Sequence, residues 1–152
     1  MEQLVSNLLG ANPQEQDQAK QFVQRYQQGK PTEGFSDQEA QQHYQRVAKQ
    51  APPDVYRKAA EEAFARLSPQ ERQEYVQDVK RQAKGHNAPR VQNWNEHDNS
   101  PQQLADMTTH MHQNQPEMMN QLVSSVAGGN PIMKAALGGI AAMAMKQMTG
   151  GH

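Results

Sequence analysis

The chain has 152 residues, with 15 Lys and Arg against 16 Asp and Glu, and it contains no cysteine. The balanced charge argues against a nucleic-acid-binding protein, which would carry a basic excess. The lack of cysteine in the sequence excludes disulfide bonds, thiolate metal sites and cysteine nucleophiles. We therefore expect one small domain, or one domain with an extension, and no nucleic-acid partner.

Helical periodicity fills residues 1–84. Apolar residues recur there at spacings of three and four, which is typical of amphipathic helices, and no stretch alternates with the period of a strand. The loops between these stretches are short, so neighbouring helices are expected to pack antiparallel. The sequence predicts an all-α, soluble antiparallel bundle over residues 1–84. Its stripes begin with Leu4, Val5, Leu8 and Leu9, continue with Phe22, Tyr26, Tyr44, Val47, Tyr56 and Phe64, and end with Tyr75, Val76 and Val79.

Local signals mark where several helices begin. Ser36 followed by Glu39, and Ser68 followed by Glu71, match the capping box, in which serine and glutamate satisfy each other's backbone amides. Ser100 before a proline is a third start signal. These caps predict helices from about residues 37, 69 and 101.

The segment GHNAPRVQNWNEHDN, residues 85–99, is polar and lacks a helical period. It is predicted to be a linker, ordered only where Val91 and Trp94 dock on the bundle. A single tryptophan in such a segment is more typical of a docking anchor than of a ligand platform.

Residues 100–152 have a different composition. Eight of the nine methionines follow residue 106, whereas all aromatic residues precede residue 95. Methionine suits adaptable packing against variable partners. Gly128 and Gly129 precede Asn130, a good N-cap, so the helix from Pro116 is expected to end there and a new one to begin. The sequence predicts that these Met-, Ala- and Gly-rich helices form an assembly segment.

The stretch PIMKAALGGIAAMAMKQM, residues 131–148, is apolar on nearly every side and must be surrounded by protein or lipid. Its roughly 27 Å length would only just cross a bilayer, and Lys134 lies inside it. Assembly with copies of itself or with a partner is therefore favoured over a lone membrane span, since small residues permit close helix approach. The predicted assembly residues are Ala135, Leu137, Gly139, Ile140, Ala142 and Met143.

A few residues are candidates for metal binding. His97, Asp98, His110 and His112 could supply imidazole and carboxylate ligands, and Met107 and Met111, followed by Met118 and Met119, could supply thioethers to copper(I). However, His110 and His112 are two residues apart and point to different sides of one helix. The methionine spacing is also that of a packed core. We therefore expect no metal site, no cofactor and, since no catalytic motif is present, no enzymatic activity.

Several stretches resemble short, uncharacterised bacterial helical proteins that carry an apolar, small-residue and Met-rich helix at the C-terminus. They are PPDVYRKAAEEAFARLSPQER, SPQQLADMTTHMHQNQPEMMNQLV, GGNP and KAALGGIAAMAMKQM. The shared motifs are helix caps and small-residue helices, so the resemblance transfers no catalytic residue. In layout the chain is also similar to the stalk subunit of high-affinity nickel–iron hydrogenases. That similarity implies a hydrophobic tube that anchors a redox enzyme and admits quinone.

Three functional hypotheses follow. The leading one is a non-enzymatic helical scaffold or interaction protein that forms a homo-oligomer or joins a larger complex through its C-terminal helices. The first alternative is an anchoring and quinone-access stalk, with membrane contact through the last helix. The second is a carrier of copper or another metal. An acidic residue near the N-terminus, where a signal peptide needs a basic one, places the protein in the cytoplasm, or at the inner face of the membrane for the stalk hypothesis.

Overall fold

The computed structural model describes residues 13–28, 36–95 and 97–148, and every regular element in these ranges is a helix. The all-α prediction is confirmed, whereas the antiparallel order of the first helices stays a prediction. The predicted helix around Leu4 and Leu8 lies outside the described residues. The described helices are α1 (Pro13–Gln28), α2 (Asp37–Gln50), α3 (Pro53–Ala65), α4 (Pro69–Gln82), α5 (Pro89–Gln92), α6 (Pro101–Asn114), α7 (Pro116–Ala127) and α8 (Pro131–Met148).

The predicted caps open α2, α4 and α6. In α2, the Ser36 Oγ accepts the Glu39 N–H at 3.1 Å, and the Glu39 carboxylate accepts the Ser36 N–H at 3.0 Å. Ser68 and Glu71 repeat this capping box at the start of α4. In α6 the Ser100 Oγ accepts from the backbone three residues later. Each cap stabilises its helix by about 0.5–2 kcal/mol, so these starts are encoded locally.

Helix α8 lies at the centre of the molecule. It packs most extensively against α3 and α2, and it also contacts α1, α4 and α7. Its side chains are buried along nearly its whole length, from Ile132 to Met148, with Lys146 exposed. The apolar surface on every side of this helix is therefore covered by other helices of the same chain.

The assembly of the last helix with partners stays a prediction, but the structure gives the residues of this helix a role within the chain. All six predicted assembly residues are buried within the chain. The periodicity correctly indicated burial on every side, but it carries no information on whether the covering helices belong to this chain or to another. Ala135, Leu137, Gly139, Ile140, Ala142 and Met143 are core residues.

The division into residues 1–84 and residues 100–152 also stays a prediction, while the described residues of the two parts share a core. One continuous hydrophobic core contains Phe22, Tyr56 and Phe64 from the first part together with Met111 and Ile140 from the second. The segment 85–99 joins two parts of that core, and it includes the short helix α5. Its predicted anchors do dock, since Val91 is fully buried and Trp94 is 6% exposed.

The predicted break between the last two helices is confirmed. Helix α7 ends at Ala127 and α8 begins at Pro131, with Gly129 at a φ of 91° that suits glycine. The Asn130 Oδ1 accepts the Met133 N–H at 3.1 Å, as expected of an N-cap, and its Nδ2 donates to the Asp78 carboxylate on α4. The break therefore both starts α8 and ties it to α4.

Gly139 sits where α8 closely approaches α1 and α3. A Cβ at this position would lie 2.6 Å from the Tyr26 Oη of α1 and 2.9 Å from the Ala63 Cβ of α3. The Tyr26 ring also packs against Arg66, whose guanidinium carbon lies over the ring at 4.6 Å from its centroid. The missing side chain of Gly139 thus sets the spacing of three helices.

None of the described helices combines the length and the apolar character needed to cross a membrane.

Candidate functional site

A preformed cleft opens between α2, the end of α6 and the start of α7. It encloses about 360 Å³, and we call it the His112 cleft. Its floor includes the nearly buried side chains of Tyr44, Met119 and Val123. The complete lining is Tyr44, Gln45, Ala48, Lys49, His112, Pro116, Met119, Asn120 and Val123.

His112 forms one wall of this cleft from the last turn of α6. Its ring is stacked on the Tyr56 ring, with 4.4 Å between centroids and 8° between planes. Burial lowers the pKa of His112 below its usual value, although a hydrogen bond to the backbone of Ala48 opposes the shift. The imidazole therefore favours the neutral form and presents a fixed aromatic surface.

A buried pair of tyrosines supports that wall. The Tyr44 Oη and Tyr56 Oη are 2.6 Å apart and share a hydrogen bond between α2 and α3. Burial raises the pKa of both phenols well above the usual value, so both stay protonated at neutral pH. Because the two hydroxyls share this hydrogen bond, it offsets part of the cost of burying the pair. The pair fixes the two rings beneath the cleft.

The opposite edge of the cleft is held by a side chain-to-backbone hydrogen bond. The Gln41 Nε2 of α2 donates to the Val123 carbonyl of α7 at 2.7 Å. This bond spans two helices that line the cleft and fixes their spacing beside Val123. Together with the stacked His112, it means that the cleft exists before any ligand arrives, which reduces the ordering cost of binding.

The rim combines one positive charge with neutral hydrogen-bonding groups. Lys49, Gln45 and Asn120 are all exposed there. Amide side chains can both donate to and accept from a polypeptide backbone. An apolar floor surrounded by such groups suits one apolar side chain carried on a polar chain.

The structure does not assemble the predicted metal candidates. His97 and Asp98 are exposed in the segment after α5, whereas His110 and His112 lie on α6. Among the described residues, no group of three or more His, Asp and Glu side chains is arranged to hold a metal ion. The thioether candidates are core residues: Met107, Met111, Met118 and Met119 all belong to the hydrophobic core.

Sequence reasoning placed His112 among possible ligands but missed the cleft that it lines. Tyr44 and Tyr56 were recognised only as apolar positions of two helices. Their hydrogen bond depends on how α2 and α3 turn at Pro52 and Pro53, which periodicity does not specify. The polar residues Gln41 and Asn120 carry no signal of their own in a sequence so rich in glutamine and asparagine.

A second histidine, His43, is buried between α1 and α2. It is 6% exposed, its ring lies 4.5 Å from that of Phe22, and its Nδ1 has no hydrogen-bond partner among the described residues. Burial lowers the pKa of His43, and Arg46 and Arg25 lower it further, against an opposing effect of Glu39. Folding therefore favours the neutral imidazole.

We expect the free energy of unfolding to fall as the pH is lowered from about 7.5 to about 5.5. The unfolded chain protonates His43 near pH 6.5, before the folded chain does, so protons favour unfolding. His110 and His112, whose pKa values are also lowered by burial, act in the same direction. Urea denaturation across this pH range measures the slope.

In the variant His43→Leu, the free energy of unfolding should change less with pH than in the unmodified protein. The control His97→Gln, at an exposed position, should keep the pH dependence of the unmodified protein. An identical slope in His43→Leu and the unmodified protein would contradict the assignment of this pH dependence to His43.

Comparison of the chain with protein-family models, curated proteins and solved structures gives no match. The functional argument therefore rests on the geometry of the chain itself.

Proposed function

We propose that this protein is a non-enzymatic helical interaction protein, and that the His112 cleft receives an apolar side chain of a protein partner. The observation that carries the proposal is the construction of the cleft. Its apolar floor is fixed on one side by the stack of His112 on Tyr56 and on the other by the bond from Gln41 to Val123. Pre-organisation of this kind favours binding, since little side-chain freedom is lost when the partner docks.

The chemistry of the lining selects a polypeptide segment as the partner. Met119, Val123 and Ala48 offer apolar contact to one inserted side chain, and methionine adapts its shape to what it meets. Gln45 and Asn120 on the rim suit the backbone groups that flank such a side chain. Lys49 favours a partner with an acidic residue next to the inserted one.

The same groups support a role in binding rather than in catalysis. His112 uses its ring face for stacking and a ring hydrogen bond for the Ala48 backbone, so its interactions hold the wall of the cleft. The phenols of Tyr44 and Tyr56 are hydrogen-bonded to each other and are held protonated by burial. A general base would need a group poised to accept a proton near neutral pH.

The alternative of a membrane-anchoring stalk needs an apolar helix that is free to meet lipid or quinone. Helix α8 was the candidate, and its apolar side chains are enclosed by α1, α2, α3, α4 and α7. The alternative of a metal carrier used thioethers that lie in the core. The buried positions of these residues favour the interaction protein over both.

Site-specific photo-crosslinking in extracts of the native source tests the proposal. A photoreactive residue at exposed position Asn120, on the cleft rim, should give one defined protein adduct. The matched control carries the same group at exposed Glu74 on α4 and should not give that adduct. Changing Lys49 to glutamate in the Asn120-labelled protein should reduce the yield, because it reverses the charge that favours the partner.

Equal labelling from positions 120 and 74, or a yield unaffected by the change at Lys49, would contradict the proposal. An adduct with a second copy of the chain would show that the partner is another copy of this protein, in a homo-oligomer. Light scattering of the full chain would then be expected to show a species larger than a monomer.

A further inference from the structure

A second cleft, which shares no lining residue with the first, lies at the end of α4. Its lining residues are Gln77, Lys80, Arg81, Lys84 and Gln92, and it encloses about 490 Å³. We call it the Lys84 cleft. Three of its five lining side chains are cations and the other two are neutral amides. This volume falls within the range typical of small-molecule sites.

The local fold gathers these cations on one side of the chain. Lys80 lies in the last turn of α4, and Lys84 lies in the turn that follows the helix, yet both side chains line the cleft. Gly85 then adopts a φ of 90° and turns the chain toward α5. The turn brings Gln92 back beside the end of α4.

Gln92 also changes the electrostatics of the helix end. Its Nε2 donates to the carbonyl oxygens of Ala83 at 3.2 Å and His86 at 2.8 Å. The C-terminal carbonyls of a helix carry partial negative charge that would otherwise attract nearby cations. Because the Gln92 amide engages the Ala83 carbonyl at this helix end, it reduces the partial negative charge that the end of α4 presents to the cleft.

Asp78 is an acidic neighbour of the cleft residue Arg81, and its carboxylate is already engaged. Asp78 pairs with Arg81 at 3.1 Å and accepts a hydrogen bond from the Asn130 Nδ2. It therefore offsets part of the Arg81 charge. Within the described residues, no ion pair is found for Lys80 or Lys84. Because both lysines line one cleft, their like charges repel each other, and a bound anion would relieve that repulsion.

Lysines elsewhere on the molecule have different surroundings. Lys58, for example, lines a cleft that also contains Asp54, Glu61 and Glu62. Lys58 thus shares its cleft with three acidic side chains, whereas the lining of the Lys84 cleft contains none. The basic lining is thus a property of this cleft and not of the overall charge, which is close to neutral.

We propose that the Lys84 cleft binds a small ligand carrying more than one phosphate group. Phosphate oxygens accept charge-assisted hydrogen bonds from both ammonium and guanidinium groups, and the Arg81 fork suits two oxygens at once. Three cations line this one cleft. A ligand with several phosphate groups can pair with all three, whereas a single carboxylate cannot. The neutral amide of Gln77 lies beside them on α4.

Titration calorimetry with tripolyphosphate as the probe tests the proposal on the full chain at low salt. We expect saturable binding at one site, weaker at higher ionic strength. The double variant Lys80→Gln/Lys84→Gln should bind at least about tenfold more weakly, because two charge-assisted contacts are lost. The control Lys20→Gln/Lys58→Gln removes the same charge from other helices and should bind within about twofold of the unmodified protein.

Absence of saturable tripolyphosphate binding would overturn the proposal. Equally weakened binding in both double variants would also overturn it, because the probe would then be attracted by net charge alone. Sedimentation with vesicles of anionic phospholipid distinguishes the source of the phosphate. If the protein binds vesicles but not tripolyphosphate, the ligand of the cleft is a membrane surface and the proposal of a soluble ligand is wrong. The melting temperature of each variant should match that of the unmodified protein, since all four lysines lie at the surface of the fold.

Discussion

A chain that ends at Gly129 is expected to lose cooperative folding. The truncation removes α8, whose buried side chains include Ile132, Leu137, Ile140 and four methionines. Each large buried apolar side chain contributes about 1.5–3 kcal/mol. Their sum is as large as the roughly 5–15 kcal/mol by which a typical domain is stable. The remaining helices would also expose the faces that α8 covers.

Thermal denaturation followed by circular dichroism measures this effect. The full chain should show a sharp transition, and the truncated chain should show a broad one or none. Removal of residues 149–152 alone is the control and should keep the sharp transition, because α8 stays complete. A truncated chain that melts sharply as a monomer would mean that residues 13–129 fold without α8.

The substitution Gly139→Ala is expected to destabilise the protein by about 1–3 kcal/mol, as overpacking of a close-packed core does. Alanine is the better helix former by about 1 kcal/mol, so a surface position would give the opposite sign. Here the new methyl group would meet the Tyr26 Oη at 2.6 Å and the Ala63 Cβ at 2.9 Å. The Ala63 atom is fixed to the backbone of α3, so α8 would have to move away from it.

Urea denaturation gives the free energy of unfolding of each variant. Gly128→Ala is the matched control, because Gly128 has a φ of -78° and the nearest contact of an added Cβ is 3.4 Å. This control should change stability little. Combining Gly139→Ala with Tyr26→Phe removes the closest atom, so the double variant should be more stable than the sum of the single effects implies. Stabilisation by Gly139→Ala alone would place α8 farther from α1 and α3 than the structure does.

The helix starts show what the sequence could predict. Ser36, Ser68 and Asn130 each act within a few residues of themselves, and all three cap helices in the structure as expected. The break at Gly128 and Gly129 was predictable for the same reason. Helix type, helix ends and burial depend on local spacing, and local spacing is written directly in the sequence.

The sequence did not predict which helices pack around α8. The composition of α8 indicates burial on every side, but the same pattern serves a core helix, an oligomer interface or a lipid-facing helix. Only the contacts of Ile140 and Gly139 with helices of the same chain decide among them. The His112 cleft was not predictable for a similar reason. Tyr44, Tyr56 and Val123 lie on three different helices, and no single stretch of sequence encodes how these helices are arranged.

The central position of α8 has a consequence for the rate of folding. Helix α1 ends at Gln28 and α8 begins at Pro131, so contacts between them join residues more than 100 positions apart. Helical proteins dominated by contacts between near neighbours fold within microseconds to milliseconds, and folding slows as contacts become more distant in sequence. Here the helix that completes the core follows all those that surround it. We therefore expect slow folding for an all-α protein of this size, with apolar faces of α2 and α3 open to aggregation until α8 is in place.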